Sequence, residues 1–316
     1  MDVAVYVFTG FLEAGKTTLL QETLSDAGFN SGEKTLILLC EEGEEELDPT
    51  AFPHNNVALE IIDSESRLNR DKFQALARKH GAARIFIEYN GMWQLETLYN
   101  AMPDNWYIFQ EIMLADATTF ENYNANMRSL VVDKLQNCEL VVFNRFAGDE
   151  DAKMRLHKIV RGVSRQVNIA YEDPNHDITY DQIEDPLPYD LSSDIVEIDD
   201  RDYAIFYRDM SEEMEKYAGK TLRLRGLVAR DPALPATSFV IGRHVMTCCA
   251  DDITYRGLIC TGKEKYKLES RDWVILTARL VIEKHKLYHG PGPILQVLSV
   301  ERCDPLPKDE QVAVFY

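Results

Sequence analysis

No apolar run in the 316-residue chain approaches the ~20 residues that cross a bilayer, so the sequence excludes a membrane-spanning helix. It also lacks a cationic leader, a hydrophobic signal core and a small-residue cleavage site. Met1-Asp2 passes at once into the strand-like Val3-Ala4-Val5-Tyr6-Val7-Phe8, and the protein is expected to stay in the cytoplasm without inserting into a membrane. Double C-x-x-C spacing is missing too, and the six cysteines of a chain this long are expected as thiols or metal ligands, not as a disulfide framework. Positive charge is scarce. The net charge is −19, with 16 basic against 26 acidic residues over 1–171, 3 against 16 over 172–218, and 15 against 11 over 219–316. The first two stretches are poor partners for nucleic acid, and only the mildly basic last one stays open to it on charge.

What is present is an ordinary globular composition, 45% hydrophobic and 28% charged, in a chain about twice the ~150-residue domain prior. Over 1–171, short β-branched runs alternate with helix-period segments, the pattern of parallel βαβ units, with helices expected on both faces of a mostly parallel sheet. Residues 172–202 combine Asp/Glu density with Pro174, Pro186 and Pro188 and are expected as an acidic, extended linker. In 203–316 a short helix, capped by Ser211 and ended by Gly219, precedes five strand signals with Gly/Pro-rich joints. They point to a small all-β, OB-like barrel.

Gly10-Phe11-Leu12-Glu13-Ala14-Gly15-Lys16-Thr17-Thr18 satisfies G-x-x-x-x-G-K-S/T directly after an apolar strand and directly before a helix. Glycines let the backbone N–H groups converge on phosphate oxygens. The helix terminus adds positive potential, Lys16 neutralises the β- and γ-phosphates, and the Thr17 hydroxyl ligates Mg²⁺. The acidic run Cys40 to Asp48 follows the second strand, where a carboxylate can reach the magnesium or orient a water. Glu88-Tyr89-Asn90-Gly91 ends a later strand. Glu88 is expected near the attacking water and the Gly91 N–H near the γ-phosphate.

On these residues the chain resembles the CobW-like P-loop GTPases, a family of metallochaperones and metal-insertion factors, over roughly residues 1–171. Glu41, Gly43 and Asp48 fall on that family's switch pattern, Glu88 and Gly91 on its E-x-S/T-G element, and Asp116-Ala117 on a further D-A pair. The resemblance implies Mg²⁺-dependent nucleotide hydrolysis driving a conformational switch. The family's guanine-reading N-K-x-D stands here as Asn144-Arg145-Phe146-Ala147, so Asn144 is expected on the base while the aspartate is an alanine. Weakened preference for GTP over ATP follows, with Asp149 the nearest substitute acceptor. The family's C-x-C-C metal motif has no counterpart, since residues 49–70 hold no cysteine.

In the C-terminal part, His244, Cys248, Cys249 and Cys303 form a candidate zinc set, with Cys260 in reserve and buried structural thiols as the alternative. Through Tyr217-Ala218-Gly219-Lys220, Cys248-Cys249-Ala250-Asp251 and Asp272-Trp273-Val274 this region resembles the C-terminal part of a permease-subunit family of unknown function, which implies a membrane-transporter partner. The expected function is a nucleoside triphosphatase using GTP, or ATP, that couples hydrolysis to metal handling or to a client protein. The alternatives are a non-catalytic nucleotide sensor regulating a transporter and an OB-type single-strand binder.

Overall fold

The computed structural model describes residues 2–232, 234–247, 252–263, 265–288 and 290–315, and the chain divides into compact units over 1–183 and 184–316. In the first unit the strands are β1 (Val3–Thr9), β2 (Thr35–Leu39), β3 (Val57–Ile61), β4 (Arg84–Glu88), β5 (Trp106–Asp116), β6 (Leu140–Asn144), β7 (Asn168–Glu172) and β8 (Ile178–Tyr180). They lie in the order β3-β2-β4-β1-β5-β6-β7-β8, parallel from β3 to β7 with β8 antiparallel at the edge. Burial on both faces explains the apolar runs at 36–39 of β2 and 85–87 of β4; all five residues of each strand are buried.

Helix α1 (Lys16–Ser25) packs Leu20 and Leu24 on one face against Phe8, Ile37 and Phe86. The other face carries α2 (Arg70–His80), α3 (Leu95–Ala101), α4 (Phe120–Asn126), α5 (Arg128–Leu135) and α6 (Glu150–Arg161), through Phe73, Leu98, Phe120, Val131 and Leu156. The sequence pattern of 120–136 suggests one helix. The chain breaks it at Met127 (φ −132°, ψ 42°), after a segment where Asn122, Asn124 and Asn126 are poor helix formers and the Asn126 amide bonds back to the Asn122 carbonyl.

The second unit holds β9 (Val196–Ile198), α7 (Tyr203–Glu212), β10 (Thr221–Ala229), β11 (Ser238–Met246), β12 (Thr254–Thr261), β13 (Trp273–Lys284), β14 (Pro291–Arg302) and β15 (Val312–Val314). Antiparallel β10–β11, β11–β12, β13–β14 and β10–β13 pairs and a parallel β12–β14 pair close five strands into a small barrel. The short strands β9 and β15 add in parallel to β10 and β11.

Two expectations change. The stretch read as linker carries β8 and β9, and its Asp181 accepts from Tyr171 Oη (3.0 Å) and pairs with His157 Nδ1 (2.8 Å). Its dense charge masked two three-residue strands. The helix before the barrel begins at Tyr203, because Tyr203, Phe206 and Met210 share one buried face, and Ser211 donates to the Tyr207 carbonyl instead of capping.

Glu111 on β5 is only 2% exposed; Tyr99 Oη donates to its Oε2 (2.8 Å), and Oε1 has no partner among the described residues. Burial pushes this carboxyl up to about 7 from 4.5, despite the Tyr99 hydrogen bond. A raised folded-state value gives stability that is full below the unfolded value and lost as pH rises through the folded one. Wild type should therefore lose about 3 kcal/mol between pH 4.5 and 8 through this group. Glu111→Gln should flatten that decline in denaturant titrations; parallel pH profiles for the two proteins would refute it.

Candidate nucleotide site

The strand-to-helix turn after β1 is built around two glycines whose backbones only glycine adopts readily. Gly10 has φ +132°, and a Cβ there would lie 2.1 Å from the Leu114 carbonyl oxygen. Gly15, at φ +88°, heads α1 without any side-chain cap, which leaves the helix's first N–H groups turned to the loop's concave side. Lys16, 3% exposed, folds back across this concavity. Its ammonium donates to the carbonyls of Gly10 (3.0 Å) and Phe11 (2.9 Å) and pairs with Glu41 Oε2 at 2.6 Å. Thr17 Oγ1 donates to Glu88 Oε1 (2.9 Å) at the end of β4. Glu13 holds a left-handed conformation (φ +60°) and accepts from the Glu44 N–H at 2.9 Å, tying the phosphate loop to the acidic loop.

These residues line a cavity of about 190 Å³. Glu13, Glu41, Glu44, Glu45 and Glu88 face it, against the cations Lys16 and Arg145. A polyphosphate entering so acidic a wall needs a cation beyond these two. The donor set fits a hard divalent ion, with a hydroxyl from Thr17 and the carboxylate of Glu41, and the buried Glu88 Oε2 beside them lacks a partner among the described residues. Burial raises the Glu88 carboxyl above its ordinary value, against the Thr17 hydrogen bond and the Lys16 charge. The neighbouring Cys40 thiol is pushed up to about 12 by burial, which suits a core residue better than a soft ligand.

Lys16, Thr17, Glu41 and Glu88 thus converge, with Thr18 and Glu13 on the same wall. Asp48 does not join them: its exposed carboxylate caps the 3₁₀ turn Pro49–Ala51, accepting from the Thr50 N–H and hydroxyl, which hold it below the usual carboxylate range. Gly91 packs on the loop's backbone, where a Cβ would lie 2.6 Å from the Gly10 carbonyl. Asn144 donates to the Ala14 carbonyl (2.7 Å). Asp149 N-caps α6 through the Ala152 N–H (3.0 Å). Sequence reasoning passed over Arg145. It donates to the Glu13 carbonyl (3.0 Å) and pairs with Asp116 Oδ2 (2.6 Å), so it braces the phosphate loop from the other side. Burial works to raise the Asp116 carboxyl, but Thr118 and Arg145 outweigh it and hold that group low.

For the zinc set, Cys248 and Cys249 lie outside the described residues. Of the remainder, His244 is exposed on β11 with its ring edge-on to Tyr255, while Cys303 is half-buried beyond β14. Cys260 sits in the barrel core with its thiol raised by burial. Among the described residues no group of three or more His, Cys, Asp or Glu is placed to hold a metal ion.

A glycine-bounded loop between β1 and α1, a buried lysine across it and a carboxylate at the end of β4 define a P-loop nucleotide-binding domain. Residues 4–170 match the family described as CobW/HypB/UreG, nucleotide-binding domain, and the chain belongs to that family. Residues 175–313 match the DUF1980 C-terminal domain. Among solved structures, the Zn(II)-bound YjiA GTPase from E. coli is 16% identical over 87% of this chain and 93% of that one, with a TM-score of 0.42. The hydrogenase maturation factor HypB from Archaeoglobus fulgidus is 15% identical over 55% of this chain and 82% of its own, at 0.38. No curated protein matches. No helix among the described residues is long and apolar enough to cross a membrane.

Proposed function

We propose that the protein is a Mg²⁺-dependent nucleoside triphosphatase, using GTP, whose hydrolytic cycle drives metal handling or the regulation of a partner protein. The observation that carries this reading is the Lys16–Glu41 pair, closed at 2.6 Å inside the phosphate loop. A γ-phosphate that takes Lys16 must displace the Glu41 carboxylate. Since Glu41 opens the acidic loop that Glu44 ties to Glu13, nucleotide binding then repositions that loop.

Lys16 offsets charge on the β- and γ-phosphates, and Thr17 and Glu41 supply the oxygens that would hold the cation. When bound, Mg²⁺ neutralises negative charge on the phosphate oxygens. Glu88, at the end of β4, orients the attacking water and takes up its proton as the new bond to the γ-phosphorus forms. The bond from the γ-phosphorus to the β–γ bridging oxygen breaks, the oxygen staying on the β-phosphate, which releases the nucleoside diphosphate and inorganic phosphate. Metal handling is the element that family membership supports.

Titration of the full-length protein with GTP and ATP, each with and without Mg²⁺, tests the reading when phosphate release is followed in parallel. Mg²⁺-dependent GTP binding with turnover is the expected result. Binding without phosphate release would leave a nucleotide sensor, and no binding of either triphosphate would end the proposal.

A further inference from the structure

A second cavity, of about 560 Å³, adjoins the phosphate site and has Gly15, Thr18 and Arg145 in common with it. That volume lies within the ~300–1,000 Å³ of small-ligand sites. Leu114, Val142 and Ala170 give it an apolar floor, so a nucleotide with its phosphates at Lys16 extends its nucleoside into this space. In its wall Asn144 is 8% exposed. The Nδ2 group is committed to the Ala14 carbonyl, and Oδ1 has no hydrogen-bond partner among the described residues. An unpaired acceptor held that deep is costly unless a ligand donor meets it.

The position expected to carry the base-reading aspartate is Ala147, and Asp149 is spent on the α6 cap. The carboxylate that does reach the cavity is Glu172, at the end of β7. It is fixed beside the Asn144 loop because the Phe146 N–H donates to its carbonyl at 2.9 Å. Its Oε1 pairs with His176 Nδ1 (2.5 Å), and Oε2 makes no hydrogen bond among the described residues. The adjacent Asp173 is fully employed in its own turn, accepting from the Asn175 and Asp177 N–H groups and from the Asn175 amide.

We propose that Glu172 is the specificity-determining residue through which the site selects guanine over other bases. This rests on the nucleotide reading of the phosphate loop. Guanine presents N1–H and the 2-amino group side by side, and a carboxylate accepts from both. Adenine offers an unprotonated N1 and a C–H at the same edge, which a carboxylate repels. Xanthine carries a carbonyl where guanine carries the 2-amino group, so it also meets acceptor with acceptor. A carboxamide at position 172 supplies a donor and inverts the last comparison.

The test is calorimetric titration of the full-length protein with GDP, ADP and xanthosine diphosphate in excess Mg²⁺. Wild type should favour GDP over both. Glu172→Gln should weaken GDP on the order of 10–100-fold, the cost of a charge-assisted hydrogen bond, and tighten xanthosine diphosphate so that their order reverses. Asp149→Asn should leave the base preference as in wild type. Glu172→Asp, one methylene shorter, keeps the test open if the glutamine variant does not fold: it should weaken GDP without improving the xanthine ligand. Equal wild-type affinity for the three bases, or an unchanged preference in the folded Glu172 variants, overturns the inference while leaving the phosphate-loop reading intact. Failure of wild type to bind any nucleotide overturns that reading and the inference together.

Discussion

Lys16→Ala is expected to abolish measurable triphosphate binding while the chain stays folded. The ammonium is seated in the loop's concavity, held by two carbonyls and Glu41. Charge-assisted hydrogen bonds contribute roughly 1.5–3 kcal/mol each, so losing two of them weakens binding on the order of 10²–10⁴-fold. The loss also leaves Glu41 without its partner next to Glu88, which adds repulsion to the incoming phosphates. The loop's shape survives, because it depends on Gly10 against Leu114 and on Asn144 against Ala14. Triphosphate titration alongside circular dichroism checks both halves; retained affinity in a folded variant would remove the phosphate site from this loop.

Glu88→Gln should separate chemistry from binding. Glutamine has the same shape, and its carbonyl can still accept from Thr17 Oγ1, so the local packing persists. What disappears is a buried carboxylate able to take a proton. Loss of a general base lowers turnover roughly 10²–10⁴-fold. Removing a negative charge from a wall already rich in carboxylates should leave triphosphate affinity equal or tighter. Single-turnover phosphate release and equilibrium binding, measured on the same preparation, distinguish this from simple damage. Wild-type turnover in Glu88→Gln would move the catalytic role elsewhere.

The parts of this architecture that the sequence made legible are those in which neighbouring residues carry the signal. Thr221–Ala229 follows period two and emerges as β10, and Gly10 to Thr18 is one contiguous turn. Through-space pairings were invisible by the same logic. Nothing local in Glu41 says that it faces Lys16, and Glu172 lies 28 positions beyond Asn144 in a stretch whose charge suggested a linker. A usable signal existed: Ile178-Thr179-Tyr180 is a β-branched alternation that brings the end of β7 back into the sheet. Asp48 erred in the other direction. Its place in a switch-like spacing hid the Asp-Pro-Thr capping geometry that occupies its side chain.

The strand order carries a consequence for biosynthesis. Among the described residues, strand β1, from which the phosphate loop hangs, pairs only with residues 84–88 and 106–113. Chains emerge from the ribosome at ~5–20 residues per second. For several seconds, therefore, a nascent chain displays the whole Gly10–Thr18 motif with no neighbour for β1, no Glu88 opposite Thr17 and no Leu114 beneath Gly10. Nucleotide cannot template that early chain, and non-local closure of this kind slows folding. A fragment cut before Arg84 keeps the motif intact but lacks Glu88, Leu114 and both strands that flank β1.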